Sequence, residues 1–387
     1  MLHLERILNE LGRCCGPAEQ AHSLPPACYT SRDITSAETD LIFRKTWIGV
    51  GRYDLVPKPG SFKTLDVAGL SIILLRDRTN TVRAFANACR HRGARLLDGE
   101  GRCSTIRCPF HSWVYALDGN LASAPHMQDV AGFDPTAYGL HTYRAEERLG
   151  FIFVCQNPDG PDIDEVLGDF ANLHAPWPLE SLVTTRRREL TVDCNWKAFL
   201  EVFNEYYHLP YVHPDSIDDV YDWPDPAAPA TGAFASQFGA TEGTGGLLQD
   251  QQDKALPAMP GLSGRAACGV RYSWVFPNMS FAAGTDALWV YEAYPLGAER
   301  CHVVQTACFP PETLATPDAE LAVEAYHERL DAALAEDIPA LENQQRGFAC
   351  PDATQGRFQP LLEANVAAFA DWYAGRMKSN EEKREAP

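Results

Sequence analysis

Two cysteines and two histidines alternate within a short stretch of the chain, as Cys89-x-His91 and Cys108-x-x-His111. Thiolates and imidazoles bind zinc or iron–sulfur clusters, and the order of the ligands helps to distinguish these sites. A zinc finger places its cysteine pair before its histidine pair, whereas each short segment here supplies one residue of each type. This order favours a [2Fe–2S] cluster in which one iron has two thiolate ligands and the other has two imidazoles. A structural zinc site is the alternative.

A second candidate metal site lies further along the chain, in "NWKAFLEVFNEYYHLPYVHP" at residues 195–214. Glu205 and His208 are three residues apart, which predicts that they share one face of a helix. Pro210 is expected to break that helix, so that His213 can fold back beside His208. Two imidazoles and one carboxylate form the facial triad of non-haem Fe(II) oxygenases, which leaves positions open for O₂ and substrate. The alternative is a helix end that holds no metal.

The elements that must position these residues divide the chain into four predicted parts: residues 1–45, 46–156, 157–378 and 379–387. The first part has helical and loop-like character and is expected to pack on the third. In the second, short apolar runs alternate with turns, and Asp118-Gly119 marks a hairpin, which together predict a β-domain. The third mixes strands with helices, including a long helix interrupted at Pro339. The last part is a charged tail that we expect to be disordered.

Composition excludes several classes of protein. The 387 residues include 33 Lys and Arg against 52 Asp and Glu, which gives a formal net charge of −19. This charge argues against a general binder of nucleic acids or of anionic membranes. No apolar run approaches the roughly 18 residues that span a bilayer, and the N-terminus does not read as a secretory signal. Twelve cysteines without a signal peptide therefore predict a cytoplasmic protein with free thiols.

Both motifs resemble those of the oxygenase (α) component of Rieske non-haem iron oxygenases. The match is close at "CRHRGARL" and "CPFHSW", and it continues through "NWK" to the Glu205–His208 segment. Ser112 departs from the pattern because the family commonly has Gly there, and Val202 replaces a frequent Asn. The resemblance implies an α+β fold, with a Rieske-type β-domain followed by a catalytic domain in which helices cap an antiparallel sheet.

The resemblance also implies roles for individual residues. Cys89, His91, Cys108 and His111 would bind the [2Fe–2S] cluster. His208 and His213 would bind the mononuclear Fe(II), together with a carboxylate from far along the chain, for which Asp337 fits the position and Glu336 competes.

By the same resemblance, Glu205 is a bridging carboxylate rather than an iron ligand. It would contact His208 and accept a hydrogen bond from His111 of a neighbouring subunit, which implies a ring of subunits, most simply a homotrimer. A carboxylate between two imidazole N–H groups orients both rings. Glu205 would thereby connect the two metal centres.

The function predicted from these residues is an iron-dependent monooxygenase or dioxygenase. A separate reductase carrying flavin and iron–sulfur would supply electrons from NAD(P)H, because the chain contains no G-x-G-x-x-G nicotinamide motif. The overall length, the "ENQQRG" segment and the later "LLEANVAAFADWY" resemble the subgroup of the family that acts on quaternary amines such as betaines, carnitine and choline. This resemblance implies oxidation or N-demethylation of a small quaternary amine. The alternatives are hydroxylation or O-demethylation of an aromatic acid or phenol and, in another class, a Rieske electron-transfer protein.

Aromatic residues near the iron motif are the substrate-binding candidates. Aromatic faces attract quaternary ammonium groups, and an acidic segment, "PDSIDDVYDWPDP", directly follows His213. We therefore predict substrate contacts from Tyr207, Trp223, Trp274 and Phe281.

Overall fold

The computed structural model describes residue 7 and residues 9–378, so the predicted tail at 379–387 lies outside the described residues. The chain forms two compact units. The small unit is Arg44–Gly160, and the large unit comprises the described residues on both sides of it. None of the helices in the described part of the chain combines the length and apolar composition needed to cross a bilayer.

The small unit is built from antiparallel strands. Its strands are β1 (Ile48–Arg52), β2 (Ser61–Val67), β3 (Leu70–Arg76), β4 (Val82–Ala86), β5 (Glu100–Arg102), β6 (Ile106–Arg107), β7 (Val114–Tyr115), β8 (Leu121–Ser123), β9 (Thr142–Arg148) and β10 (Phe151–Cys155). Seven of them form one sheet in the order β1-β10-β9-β4-β3-β2-β5, and β6-β7-β8 form another. The predicted hairpin is confirmed, since Asp118-Gly119 lies in the turn that joins the antiparallel strands β7 and β8.

The large unit has one antiparallel sheet in the order β11-β16-β15-β14-β13-β12. Its strands are β11 (Val183–Val192), β12 (Phe234–Ala240), β13 (Gly269–Val275), β14 (Met279–Ala283), β15 (Leu288–Pro295) and β16 (Cys301–Phe309). Its α-helices in the described residues include α1 (Ala27–Thr30), α2 (Arg32–Glu38), α3 (Ile163–Leu167), α4 (Phe170–His174), α5 (Trp196–Phe203), α6 (Leu209–Val212), α7 (Pro311–Leu314), α8 (Ala319–Phe348) and α9 (Ala364–Lys378). The predicted α+β fold class, with helices on an antiparallel sheet, is confirmed.

A buried ion pair anchors α5, the helix that leads into the candidate iron motif. Lys197 Nζ lies 2.5 Å from Glu38 Oε1, and both side chains are fully buried. Trp196 Nε1 donates to the other Glu38 oxygen at 3.0 Å, and the Tyr373 hydroxyl donates to the first at 2.6 Å. Removing one member would leave a buried charge without its partner, which costs about 3–5 kcal/mol. The "NWK" residues therefore fix α5 against α2 and α9.

The two predictions about proline were wrong. Pro339 lies inside the continuous helix α8, which packing of its buried face holds together despite one lost backbone hydrogen bond. Pro210 lies in the first turn of α6, where the missing N–H would have had no partner in any case. Helix α5 ends earlier, at Phe203, so Glu205 and His208 lie in the turn between two helices rather than on one helical face.

Candidate metal centres

Two loops of the small unit have the same local geometry. The N–H of Gly93 donates to the carbonyl of Cys89 at 2.9 Å, and the N–H of Ser112 donates to the carbonyl of Cys108 at 3.1 Å. Both donors have positive φ angles, 73° for Gly93 and 58° for Ser112. Each loop therefore closes a tight turn four residues after its cysteine, in a backbone conformation that glycine adopts most easily.

These loops bury the candidate sulfur ligands and leave the imidazoles nearer the surface. Cys89 and Cys108 are 5% and 1% exposed and belong to the hydrophobic core of the unit, and neither forms a disulfide. His91 is exposed and His111 is half-buried, and their ring centroids lie 4.7 Å apart. The Tyr115 hydroxyl lies 3.3 Å from Cys89 Sγ. This donor set fits a [2Fe–2S] cluster with its thiolate-bound iron inside and its imidazole-bound iron outside.

The positive φ of Ser112 gives a test of the loop geometry. Ser112→Val should lower the free energy of unfolding of the small unit by about 1–2 kcal/mol, because a β-branched residue is strained in the left-handed region. Ser112→Gly should leave it unchanged or raise it by up to about 1 kcal/mol. The stability of both variants would be followed by the loss of the cluster's visible absorption during heating. Ser123→Val on strand β8 is the control and should change stability by less than about 0.5 kcal/mol; equal tolerance of Val at both positions would contradict the geometry.

In the large unit, three side chains converge on one point. One ligand atom each from His208, His213 and Asp337 lies within 4.8 Å of the other two. Asp337 Oδ1 lies 2.9 Å from His213 Nε2 and 3.6 Å from His208 Nε2. This oxygen is buried and accepts no hydrogen bond. A buried carboxylate oxygen without a donor, facing two imidazole nitrogens, fits a metal ion bound by two histidines and one carboxylate.

Two further carboxylates orient the imidazoles. Glu205 Oε1 lies 2.5 Å from Nδ1 of His208, and Glu336 Oε2 lies 2.6 Å from Nδ1 of His213. The Ser216 hydroxyl also donates to Glu336 Oε2, at 2.7 Å. Because a carboxylate accepts a hydrogen bond from the Nδ1–H of each ring, the lone pair of each ring is left on Nε2, which faces the shared point. The structure therefore brings Asp337 to the shared point, whereas Glu336 contacts His213 from the Nδ1 side of its ring.

Negative charge predominates around this point. Three carboxylates, Glu205, Glu336 and Asp337, surround two imidazoles. Burial lowers the pKa of His208, but the hydrogen bond that His208 donates to Glu205 and the charges of Glu205 and Asp337 outweigh it and raise the pKa above its ordinary value. A divalent cation would neutralise the excess negative charge that this shift reflects.

A small cavity of about 50 Å³ adjoins the three candidate ligands. Its walls combine aromatic, aliphatic and charged side chains, and the aromatic ones come from α5, the following turn and the sheet: Phe199, Phe203, Tyr206, Tyr272 and Tyr291. The rings pack edge to face, as Phe203 and Tyr291 do with centroids 4.5 Å apart. Arg329 also lines the cavity. A compact, partly apolar molecule fits these walls.

The four substrate contacts predicted from the sequence do not line this cavity. Trp274 and Phe281 are fully buried in the core, where Trp274 stacks on Phe369 with ring centroids 3.9 Å apart. Trp223 and Tyr207 are 71% and 50% exposed. Phe281 points to the face of the sheet opposite Tyr272 and Tyr291. Trp274 shares the face of Tyr272, but Phe369 of α9 covers it.

The aspartates of the acidic segment after His213 do not line the cavity, although Ile217 of the same segment does. Asp215, Asp219 and Asp222 are exposed, and Asp225 pairs with Arg265 at 2.8 Å. None of these aspartates lines the cavity. The segment therefore gives no support for a cationic substrate. Only the aromatic side chains of the cavity bear on that prediction.

Arg329, Tyr272, Tyr291 and the orienting role of Glu336 were missed from the sequence. Arg329 could have been found from the sequence, because it precedes Asp337 by eight residues on α8. That spacing is close to two helical turns, so the two side chains can border one site. Tyr272 and Tyr291 could not have been found in this way, because strand pairing decides which site their side chains border.

A second, larger cavity of about 360 Å³ lies beside the first, and both are lined by Val202, Glu205 and His208. It is also lined by Glu201, whose carboxylate accepts from the Tyr29 hydroxyl at 2.7 Å. Burial raises the pKa of Glu201 to about 7. Glu205 thus lies on the boundary between the two cavities, with one face toward each.

Comparison with known families matches most of both units. The family described as "Ring hydroxylating alpha subunit (catalytic domain)" matches residues 179–379, more than half of the chain. The family described as "Rieske [2Fe-2S] domain" matches residues 46–134. The first match contains the three candidate iron ligands, and the second contains both cysteine–histidine loops.

Similar proteins have names that refer to quaternary amines. The glycine betaine monooxygenase oxygenase subunit of Pseudomonas aeruginosa is 26% identical over 397 residues, which covers 94% of this chain and 90% of that protein. The carnitine monooxygenase oxygenase subunit of Escherichia coli is 34% identical over 209 residues, covering 53% of this chain and 56% of that protein. A solved structure of the quaternary ammonium Rieske monooxygenase CntA, described in terms of carnitine oxidation and inter-subunit electron transfer, has a TM-score of 0.79, 26% identity and coverage of 95% of this chain and 98% of that chain.

Proposed function

From the premise that the chain belongs to the ring-hydroxylating alpha subunit family and carries a Rieske [2Fe–2S] domain, we propose that this oxygenase acts on a small quaternary amine. It is a Rieske-type non-haem iron oxygenase, whose cofactors are a [2Fe–2S] cluster and a mononuclear iron. The observation that carries the choice of substrate is the aromatic cavity beside the candidate iron ligands. Several aromatic faces around one small space attract a quaternary ammonium group by about 0.5–2 kcal/mol each.

We assign the ligands as follows. Cys89, His91, Cys108 and His111 hold the cluster. His208, His213 and Asp337 hold the mononuclear iron, and the orphaned oxygen of Asp337 is the main structural support for this set. Glu205 and Glu336 orient the two histidines from their Nδ1 atoms.

Electrons reach this chain from a separate reductase that carries flavin and iron–sulfur and oxidises NAD(P)H. Each turnover takes two electrons and two protons together with one O₂. When bound, the mononuclear iron supplies the activation of O₂. The protein contributes a binding site that orients the substrate and excludes water from its aromatic walls.

The proposed reaction inserts one oxygen atom into a C–H bond adjacent to the quaternary nitrogen, and the second oxygen atom leaves as water. If the oxidised group is an N-methyl, the hydroxymethyl product breaks its C–N bond to give formaldehyde, a tertiary amine and a proton. All atoms and electrons then balance. We propose that a homotrimer completes the electron route, with His111 of a neighbouring subunit approaching Glu205 from the second cavity that Glu205 lines.

The proposal is tested by substrate turnover. The purified protein should contain about three irons per chain, two in the cluster and one mononuclear. The chemically reduced, iron-loaded protein should be mixed with O₂ and a panel of quaternary amines, aromatic acids and phenols. Mass spectrometry should find an added oxygen or a lost methyl in a quaternary amine. Hydroxylation of aromatic compounds alone would support the aromatic alternative, and zinc in the cysteine–histidine loops would exclude a Rieske centre.

A further inference from the structure

Arg329 is a buried cation without a carboxylate partner. It is 4% exposed and lines the cavity beside the candidate iron ligands. Within the described part of the chain, no Asp or Glu forms an ion pair with it, and its Nε atom has no hydrogen-bond partner. Buried charges are normally paired because an unpaired one is costly to desolvate. An unpaired guanidinium that borders a cavity is therefore a candidate ligand-binding group.

The groups around Arg329 hold it in place but do not neutralise it. Its guanidinium lies over the Trp289 ring, 5.1 Å from the centroid. Burial lowers the pKa of Arg329, but coulombic interaction with Tyr221, Tyr272 and Tyr291, together with a hydrogen bond to Tyr272, outweighs this effect, so the pKa is raised. The side chain therefore carries a full positive charge, and its neighbours are aromatic rings and neutral hydroxyls.

We propose that Arg329 binds a carboxylate of the substrate. This inference rests on the proposed function and narrows it: the quaternary amine is a zwitterion that carries a carboxylate, rather than a simple cation such as an amino alcohol. The planar guanidinium fork matches a carboxylate and forms two charge-assisted hydrogen bonds with it. A cation without a carboxylate would gain nothing from Arg329 and would be repelled by it.

The arrangement along α8 orients such a zwitterion. Arg329 and Asp337 are eight residues apart on this helix, which separates their Cα atoms by about 12 Å along the axis. Ala333 lies between them and also lines the cavity, where its small side chain leaves space for a ligand. The carboxylate then lies at the Arg329 end of the cavity and the ammonium group toward the Asp337 end. A carbon bonded to nitrogen is thereby presented to the iron ligands.

Binding measurements on matched ligands test this inference. The ligands are trimethylammonium carboxylates with one to three methylene groups and the corresponding trimethylammonium alcohols, titrated calorimetrically into the anaerobic, iron-loaded protein. At least one carboxylate should bind at least about tenfold more tightly than its alcohol. Arg329→Met should weaken carboxylate binding by about 10- to 100-fold and should leave alcohol binding unchanged or strengthen it. Arg329→Lys keeps the charge but loses the fork and should give an intermediate loss for the carboxylate alone.

Arg271→Met is the matched control. Arg271 is the neighbour of Tyr272 on strand β13, and its Nε also lacks a hydrogen-bond partner. It points away from the cavity, toward Ser236 and Trp177. This variant should bind both ligand series as the wild type does. Thermal unfolding of each variant would verify that it is folded. If Arg329→Met does not fold, the comparison of the two ligand series is made with Arg329→Lys.

The outcomes separate this inference from the proposed function. Equal weakening of both ligand series in the Arg329 variants, or tighter binding of alcohols by the wild type, would overturn the carboxylate role while leaving a quaternary-amine oxygenase in place. Binding of benzoate but of no quaternary amine, with the same dependence on Arg329, would support the carboxylate role and overturn the quaternary-amine function.

Discussion

Asp337→Ala should remove the mononuclear iron and leave the [2Fe–2S] cluster intact. The reason is that Asp337 Oδ1 faces both His208 Nε2 and His213 Nε2 and has no other partner. Two imidazoles alone give an incomplete ligand set for Fe(II). Iron should fall from about three to about two per chain, with unchanged visible absorption from the cluster. Substrate oxidation should fall to the background of the assay.

Glu336→Gln distinguishes the ligand from its neighbour. Glu336 accepts from His213 Nδ1 and from the Ser216 hydroxyl, so it orients a ligand without contacting the shared point. Its replacement should weaken iron binding by about 10- to 100-fold, and excess Fe(II) should restore the site. Excess Fe(II) should not restore Asp337→Ala. The exposed Glu328 on the same helix is the control, and Glu328→Gln should bind iron normally. If Glu336→Gln stays without mononuclear iron while Asp337→Ala binds it, then Glu336 is the ligand and Asp337 is the orienting residue.

Both metal centres could be located from the sequence because their residues are close together along the chain. Cys89 and His91, or His208 and His213, are held by a single loop or turn, so their spacing alone limits the chemistry. The resemblance to a known family placed Asp337 at the third ligand position, but the sequence did not show the contact between Glu336 and His213, because it joins residues from two distant segments.

The substrate cavity could not be predicted because it depends on strand register. Tyr272 on β13 and Tyr291 on β15 line it, whereas Trp274, two residues along the same strand, is packed in the core. Aromatic residues on these strands look alike in the sequence. Which residues surround each aromatic side chain depends on how β14 pairs with both strands and on which end of the sheet the helices cover.

Glu205→Gln should retain both metal centres and lose steady-state turnover by about 100-fold or more. Glu205 lies 2.5 Å from His208 Nδ1 on the boundary of the two cavities, so it holds His208 without being one of the converging ligands. Glutamine preserves its size but removes the charge that favours an imidazole N–H on each side. Glu201→Gln is the control, because burial already raises the pKa of Glu201 to about 7, and it should turn over substrate nearly normally. Loss of mononuclear iron as complete as in His208→Ala would show instead that Glu205 is a ligand.

Mixed oligomers test whether the route through Glu205 crosses between subunits. A Cys89→Ser subunit lacks the cluster but keeps Glu205 and its iron site, whereas a Glu205→Gln subunit keeps the cluster, so each should be inactive alone. When the two are co-expressed, a cluster from one subunit can face an intact Glu205 of its neighbour. Random trimers should then recover about a quarter of wild-type turnover per iron site, because one interface in four pairs an intact donor with an intact acceptor. Electron transfer within a single subunit would leave every mixed oligomer inactive, since no subunit carries both residues.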